Sequence, residues 1–321
     1  MTPKKTQRHK GFLSYSLRLG AFAGVLFFAL WATLATSQPS ESYGQPTKLA
    51  TIKNPSVTES SGLVASHTLP GAYWTHNDSG DGPFVYAINT RGNSLGVFHV
   101  TGANARDWED ISIGPGPQPN RTYLYIGDIG DNSEKRTDIV VYRVAEPDLK
   151  NAGKGSTKAK PSATEPAEAI RLKYPDGKHD AETLLVHPTT GNLYIMTKAA
   201  FANPVVYEAA APLSPGKTIT MKRIGEVHIP SIFGGAITGG SVSPDGRRVA
   251  LCDYFQGYEL VLPTRSKNFD DIWKEKMTGF DPGKRPQGES IAYRLDGNAL
   301  LATSEGKEFD LFQVERRRSS R

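Results

Sequence analysis

YWTHNDSGD (73–81) and YLYIGDIGD (123–131) lie fifty residues apart and carry Tyr, Asp, Gly and Asp at matching places, with Glu59 and Glu109 the same distance upstream of each. The unit returns three more times with shorter loops, as AETLLVHPTTGNLYIMTK (181–198), GSVSPDGRRVALCDY (240–254) and ESIAYRLDGNALLATSEG (289–306). Each later copy runs from a short β-type stretch into a turn (188–191, 244–246 or 295–297) and then into a second apolar run: LYIMT, VALCD or ALLAT. A third run follows, such as FVYAI, IVVYRV or FDLFQV, and in some copies a fourth, such as SLGVFHV (94–100). Strands of this length joined by Asp-Gly or Gly-Asn turns are hairpins. Four antiparallel strands returning about every fifty residues describe an all-β chain folded as a β-propeller of four-stranded blades. First strands fall after Glu59, Glu109 and Glu182, around Ser241 and after Glu289, so five blades are expected, with six as the alternative. A β-sandwich does not predict one unit five times over. The last copy shows no fourth strand of its own; KLATIK (48–53) is expected to supply it and close the ring, which removes exposed sheet edges.

Outside the expected propeller (47–315) the chain changes character. Residues 1–37 hold five basic residues and no acid, then an apolar run from Leu19 to Ala35 and small residues at 35–37. This is the order of a signal peptide, with an uncleaved N-terminal anchor as the alternative. Residues 38–46 read as a linker. The net charge of +5 belongs to the leader, because the rest holds equal numbers of basic and acidic residues. A nucleic-acid partner, which needs a basic face on the folded part, is not expected. Cys252 is the only cysteine, so there is neither an intramolecular disulfide nor a thiolate metal cluster. The chain reads as an exported protein, periplasmic or extracellular, that meets a membrane only through an uncleaved leader. Residues 146–166, rich in Lys, Ala, Gly, Ser and Pro, read as a surface insertion in the second blade. In 266–277, Phe269, Ile272, Trp273 and Met277 have helical spacing. Residues 316–321 form a basic tail, expected to be solvated.

In an antiparallel hairpin the start of one strand lies beside the end of the next. Glu59, Glu109, Glu182 and Glu289 begin first strands, with Ser241 as the exception; Asp78, Asp128, Lys198, Asp253 and Glu305 end second strands. Both sets are expected on one face, ringing the central opening. So many carboxylates repel one another, and either their pKa values rise or a cation sits among them. Oxygen ligands without cysteine favour Ca²⁺. The expected metal ligands are Glu59, Asp78, Glu109, Asp128, Glu182 and Glu289. Asp107 and Asp180 stand two residues before first-strand glutamates, and His76 stands two before Asp78, which on a regular strand turns both to one side. Arg106, His179 and Lys198 are the expected catalytic and anion-holding groups. The bland reading is that an Asp repeated at a strand end caps loop N–H groups. NDSGDG (77–82) is not an EF-hand, because its twelfth position is Ile88 rather than Glu. No P-loop, dinucleotide fingerprint or nucleophile elbow occurs.

ESSGL, WTHNDSG, DWEDI, YIGDIGDN, YPDGKHDAETLLV, SVSPDGRRVAL and GES, in this order, resemble a group of exported bacterial propeller proteins over about residues 55–305. More distantly the chain resembles the phytase-like and gluconolactonase-like propellers. That resemblance implies acidic and amide side chains holding Ca²⁺ at the channel mouth, and no full ligand set matches residue by residue. The expected function is a calcium-binding propeller with hydrolase activity on a small anionic ester or phosphoester. The alternative is a non-catalytic module that binds an extracytoplasmic protein or a glycan.

Overall fold

The structure, a computed structural model, describes residues 43–231 and 234–317. The leader and most of the linker and tail read from the sequence lie outside them. The strands form five blades in a ring, each with its innermost strand beside those of its neighbours. The inner strands are Ser60–Ala65, Trp108–Pro115, Ala181–Val186, Ile237–Val242 and Gly288–Tyr293, in blades 1 to 5. Blade 5 is completed by Thr47–Thr51, which pairs antiparallel with Asp310–Glu315. The ring is therefore closed by a strand from the opposite end of the chain, as its β pattern predicts.

The core is divided among five clusters, each between two adjacent blades. Period-two alternation explains this. Tyr73 packs towards blade 5 and Trp74 towards blade 2; Ile195 packs towards blade 2, while Tyr194 and Met196 pack towards blade 4. Both faces of a blade are buried, so its middle strands read as continuous apolar runs rather than as alternating ones. Five blades also bring the inner strands close together. A side chain at Gly62 would place its Cβ 2.6 Å from the backbone nitrogen of Ile111 in the next blade. Inside the channel the buried Asp110 accepts from its neighbour Ile111 N–H at 2.8 Å and from Leu184 N–H of blade 3 at 2.9 Å.

The expected helix near 266–277 is a 3-10 helix, Phe269–Lys274, that buries Phe269, Ile272 and Trp273 against blades 3 and 4. The 146–166 segment leaves blade 2 and lies along blade 1. Ser162–Ala163 pairs parallel with the outer strand Ser94–His99, and Glu146 is buried, accepting from the Trp74 indole N–H at 3.0 Å and the Ser66 hydroxyl at 2.7 Å. The two ends of the described residues meet at another buried carboxylate. Glu259 accepts from the Tyr43 hydroxyl at 2.5 Å and the Tyr293 hydroxyl at 2.7 Å, with the Arg316 guanidinium 3.8 Å away. The first residue of the expected solvated tail is thus part of the ring closure.

Candidate functional site

Every inner strand carries a β-bulge one residue in from its start. The bulged residues are Ser61, Glu109, Glu182, Thr238 and Glu289. A bulge re-aims the side chain at that position. The ring is therefore three glutamates closed by two hydroxyls, and it differs from the expected ring at two places. Glu59 lies two residues ahead of the bulge, exposed, with its backbone bridged to Glu305. Ser241 is not the blade 4 equivalent; it lies near the other end of its strand, where its Oγ accepts from Tyr293 N–H at 3.2 Å. That end opens into a depression of about 450 Å³ touched by Val64, Ser112, Val186, Ser241 and Tyr293, one residue from each blade.

The second-strand set also separates into two positions. The residue opposite each inner strand's first residue is Asn77, Asp128, Thr197, Asp253 or Ser304. In every blade it caps a loop. Asn77 accepts from Thr58 and Glu59 N–H at 2.9 and 3.1 Å, Thr197 from Val205 N–H at 2.9 Å, Asp253 from Phe255 and Gln256 N–H at 2.8 and 2.6 Å, and Ser304 from Gln287 N–H at 3.0 Å. Asp128, expected as a metal ligand, accepts from Arg106 N–H at 3.3 Å and forms a buried ion pair with Arg136 at 2.7 Å. The capping reading describes this position. One residue further on stand Asp78, Lys198, Tyr254 and Glu305, which mark the mouth, while the blade 2 equivalent, Ile129, is buried in the core.

At that mouth Asp78, Asp107 and Glu109 each bring one oxygen to within 4.8 Å of the others. Ca²⁺ binds oxygens at roughly 2.3–2.6 Å, so three oxygens at such separations can share one ion. Gly130 makes the approach possible: a Cβ there would lie 2.5 Å from Asp107 Oδ2 and closer still to Glu109 Oε1. Burial, reinforced by Asp78 and Asp180, pushes Asp107 up to about 6. Glu109 is raised well above the usual range by burial, with Glu182 as its strongest charged neighbour. Burial also pushes Glu182 up to about 7 against the opposing pull of Lys198, and Glu289 well up. Glu305 is pushed up to about 7 by burial, then by Asp78 and Glu59. The pKa values of these acids rise chiefly because burial penalises the charged form, and then because their carboxylate neighbours repel it.

The charge compensation that exists is specific. Lys198 donates to Glu182 Oε1 and, at 2.8 Å, to the Tyr254 hydroxyl. The Gln287 amide donates to Glu289 at 3.1 Å and to Glu305 at 2.5 Å. Glu182 Oε2 is buried and has no hydrogen-bond partner. Three expected contributors are placed differently. His179 is held between Asp176 at 3.1 Å and the Tyr207 hydroxyl at 3.0 Å. Arg106 is exposed, and its guanidinium makes no ion pair among the described residues. His76 is fully buried, its Nδ1 2.8 Å from Asn77 O, and burial lowers its pKa to about 4. The strand ends at Asn77, so the alternation that was to align His76 with Asp78 stops between them.

No family model and no curated protein matches the chain. The functional reading therefore rests on the mouth itself. Sequence reading passed over Gly130, which acts through the room it leaves, and Arg136, Tyr254 and Gln287, which do not recur at their positions from blade to blade. Their one visible signal was that each lies within a few residues of a repeat acid.

Proposed function

We propose that this propeller is an exported Ca²⁺-binding protein whose mouth hydrolyses a small anionic ester or phosphoester. One observation carries the reading: Asp78, Asp107 and Glu109 converge beside a buried Glu182 oxygen that has no partner. A buried carboxylate oxygen left unpaired is costly, and a cation relieves it together with the repulsion among its neighbours. The donors are all hard oxygens, which fits Ca²⁺. Asp78, Asp107 and Glu109 would hold the ion, with Glu182 turning its free oxygen towards it. Asp128 is committed to Arg136 and Glu59 is exposed, so neither belongs to this set. An ion held there would supply Lewis-acid chemistry to polarise the ester and lower the pKa of a water. Lys198 would hold the anion. Export is supported by the leader composition of residues 1–37.

The test is calorimetric titration of Ca²⁺ into chelator-treated protein, followed by turnover of a chromogenic phosphomonoester. Saturable binding with turnover lost in chelator and in Asp107→Asn is expected. Absence of Ca²⁺ binding refutes the site, and full turnover without metal refutes its catalytic role.

A further inference from the structure

The end of the channel opposite the acidic mouth has a different chemistry. The depression of about 450 Å³ there takes one floor residue from each blade: Val64, Ser112, Val186, Ser241 and Tyr293. Around them stand His67, Pro115, Pro188, Pro244 and Leu295, from the ends of the inner strands and the turns that follow, again one from each blade. Proline fixes its own backbone, so three of these five rim positions are set before anything binds. A concave, largely apolar and preformed cup of this size is the usual form of a small-molecule site.

Two polar groups in the floor are arranged alike. Ser112 stands two residues beyond Asp110 on the inner strand of blade 2, so strand alternation turns both side chains into the channel. Ser112 Oγ accepts from Val186 N–H of blade 3 at 3.1 Å, and Ser241 Oγ accepts from Tyr293 N–H of blade 5 at 3.2 Å. Accepting uses a lone pair and leaves each hydroxyl its own hydrogen to donate. Neither hydroxyl donates to another group among the described residues, although the two serines are only 6% and 8% exposed. The Tyr293 hydroxyl is committed to Glu259 at 2.7 Å. The rest of the floor is apolar, so the two serine hydrogens meet only what fills the cup.

The cup also lacks an unpaired charge. Arg121, which touches it, is paired with Glu165 at 2.6 Å. Burial lowers the pKa of His67, which keeps its imidazole neutral at pH 7. An anion therefore finds no uncommitted cation here, and a cation finds no carboxylate lining the cup.

We propose that this cup binds a small uncharged molecule with an apolar body and a carbonyl or ether oxygen. The oxygen accepts from the hydroxyls of Ser112 and Ser241, and the body lies against Val64, Val186 and the proline rim. The site is independent of the cation reading, because the acids of the mouth stand at the opposite ends of the same strands.

The experiment uses acetophenone, ethylbenzene and benzoate, which share a phenyl ring and differ in acceptor and charge. Each is titrated into protein labelled at its valine methyl groups, with Ca²⁺ and in chelator. Acetophenone is expected to bind with about millimolar affinity, the order for so small a ligand, and to shift the Val64 and Val186 methyl signals in both conditions. It should bind about fivefold more tightly than ethylbenzene, the order of one hydrogen bond, and benzoate should leave those signals unmoved. In the double variant Ser112→Ala, Ser241→Ala the preference for acetophenone is lost. No shift with acetophenone, ethylbenzene bound as tightly, benzoate moving the same signals, or a preference that survives the double variant overturns the proposal. Should the double variant fail to fold, the ranking in the native protein decides alone. Each of these outcomes leaves the cation reading standing.

Discussion

Gly130→Ala is the sharpest probe of where the cation sits. The new Cβ would stand 2.5 Å from Asp107 Oδ2 and nearer still to Glu109 Oε1, where ordinary contact needs about 3.5 Å. The Asp107 oxygen must retreat by about 1 Å and the Glu109 oxygen by more. An ion that holds oxygens at roughly 2.3–2.6 Å loses one or both. Disturbing only the partners of metal ligands already costs about 10–100-fold in affinity, so a loss of at least about a hundredfold is expected, or about 2.8 kcal/mol. The assay is thermal unfolding with and without Ca²⁺. At a hundred times its dissociation constant the ion adds about 2.7 kcal/mol, which for a domain of this size raises the melting temperature by about 5–10 °C. At the same concentration the variant gains only about 0.4 kcal/mol, or about 1 °C. Gly130 is not among the left-handed glycines, so alanine is compatible with its backbone and the chelated variant should fold. A variant that keeps the full Ca²⁺ shift would show that the ion does not lie between Asp107 and Glu109.

Further outcomes follow from the buried carboxylates. Glu182 and Glu305 are pushed up to about 7 and Asp107 to about 6 by burial, from ordinary values of 4.5, 4.5 and 3.8. In chelator the folded chain therefore binds more protons than the unfolded one between about pH 4 and 7. Its stability should fall as pH rises through that window, on the order of 3 kcal/mol from Glu182 alone. Urea unfolding at pH 5.5 and 7.5 checks this, and greater stability at pH 7.5 in chelator contradicts it. Asp110→Ala strands the N–H groups of Ile111 and Leu184 inside the channel and should cost about 2–5 kcal/mol in the same assay, without altering the affinity for Ca²⁺. Glu259→Ala leaves the Tyr43 and Tyr293 hydroxyls unpaired and should cost about 2–5 kcal/mol, whereas Tyr43→Phe should cost about 1 kcal/mol. Equal losses from those two variants would show that Glu259 of blade 4 does not tie that blade to Tyr43 and Tyr293.

Blade number, closure and the acidic character of one face were legible in the sequence, because each depends on local information. Turn residues at fixed intervals mark hairpins, a lone β run at 48–53 matches the strand missing from the last copy, and the acids recur beside the same strand ends. The composition of the ring was not legible. The fifty-residue offset matched Glu59 to Glu109 and Asp78 to Asp128 without a gap, yet the paired strands match Ser61 to Glu109 and Asn77 to Asp128. The stretch from Ser61 to Asn77 is shorter than that from Glu109 to Asp128, so an ungapped match slips between strands.

That slip separates what the chain dictates alone from what its fold decides. Amino-acid order by itself determined a five-bladed all-β ring, because strand and turn preferences act over a few residues and repeat. Only the tertiary structure decided which acids meet. A β-bulge is a property of two paired strands, and one residue of register moves a carboxylate between a loop cap, as at Asp128, and the open mouth, as at Asp78. The space beside Gly130 and the orphaned oxygen of Glu182 likewise exist only once blades 1, 2 and 3 close around them.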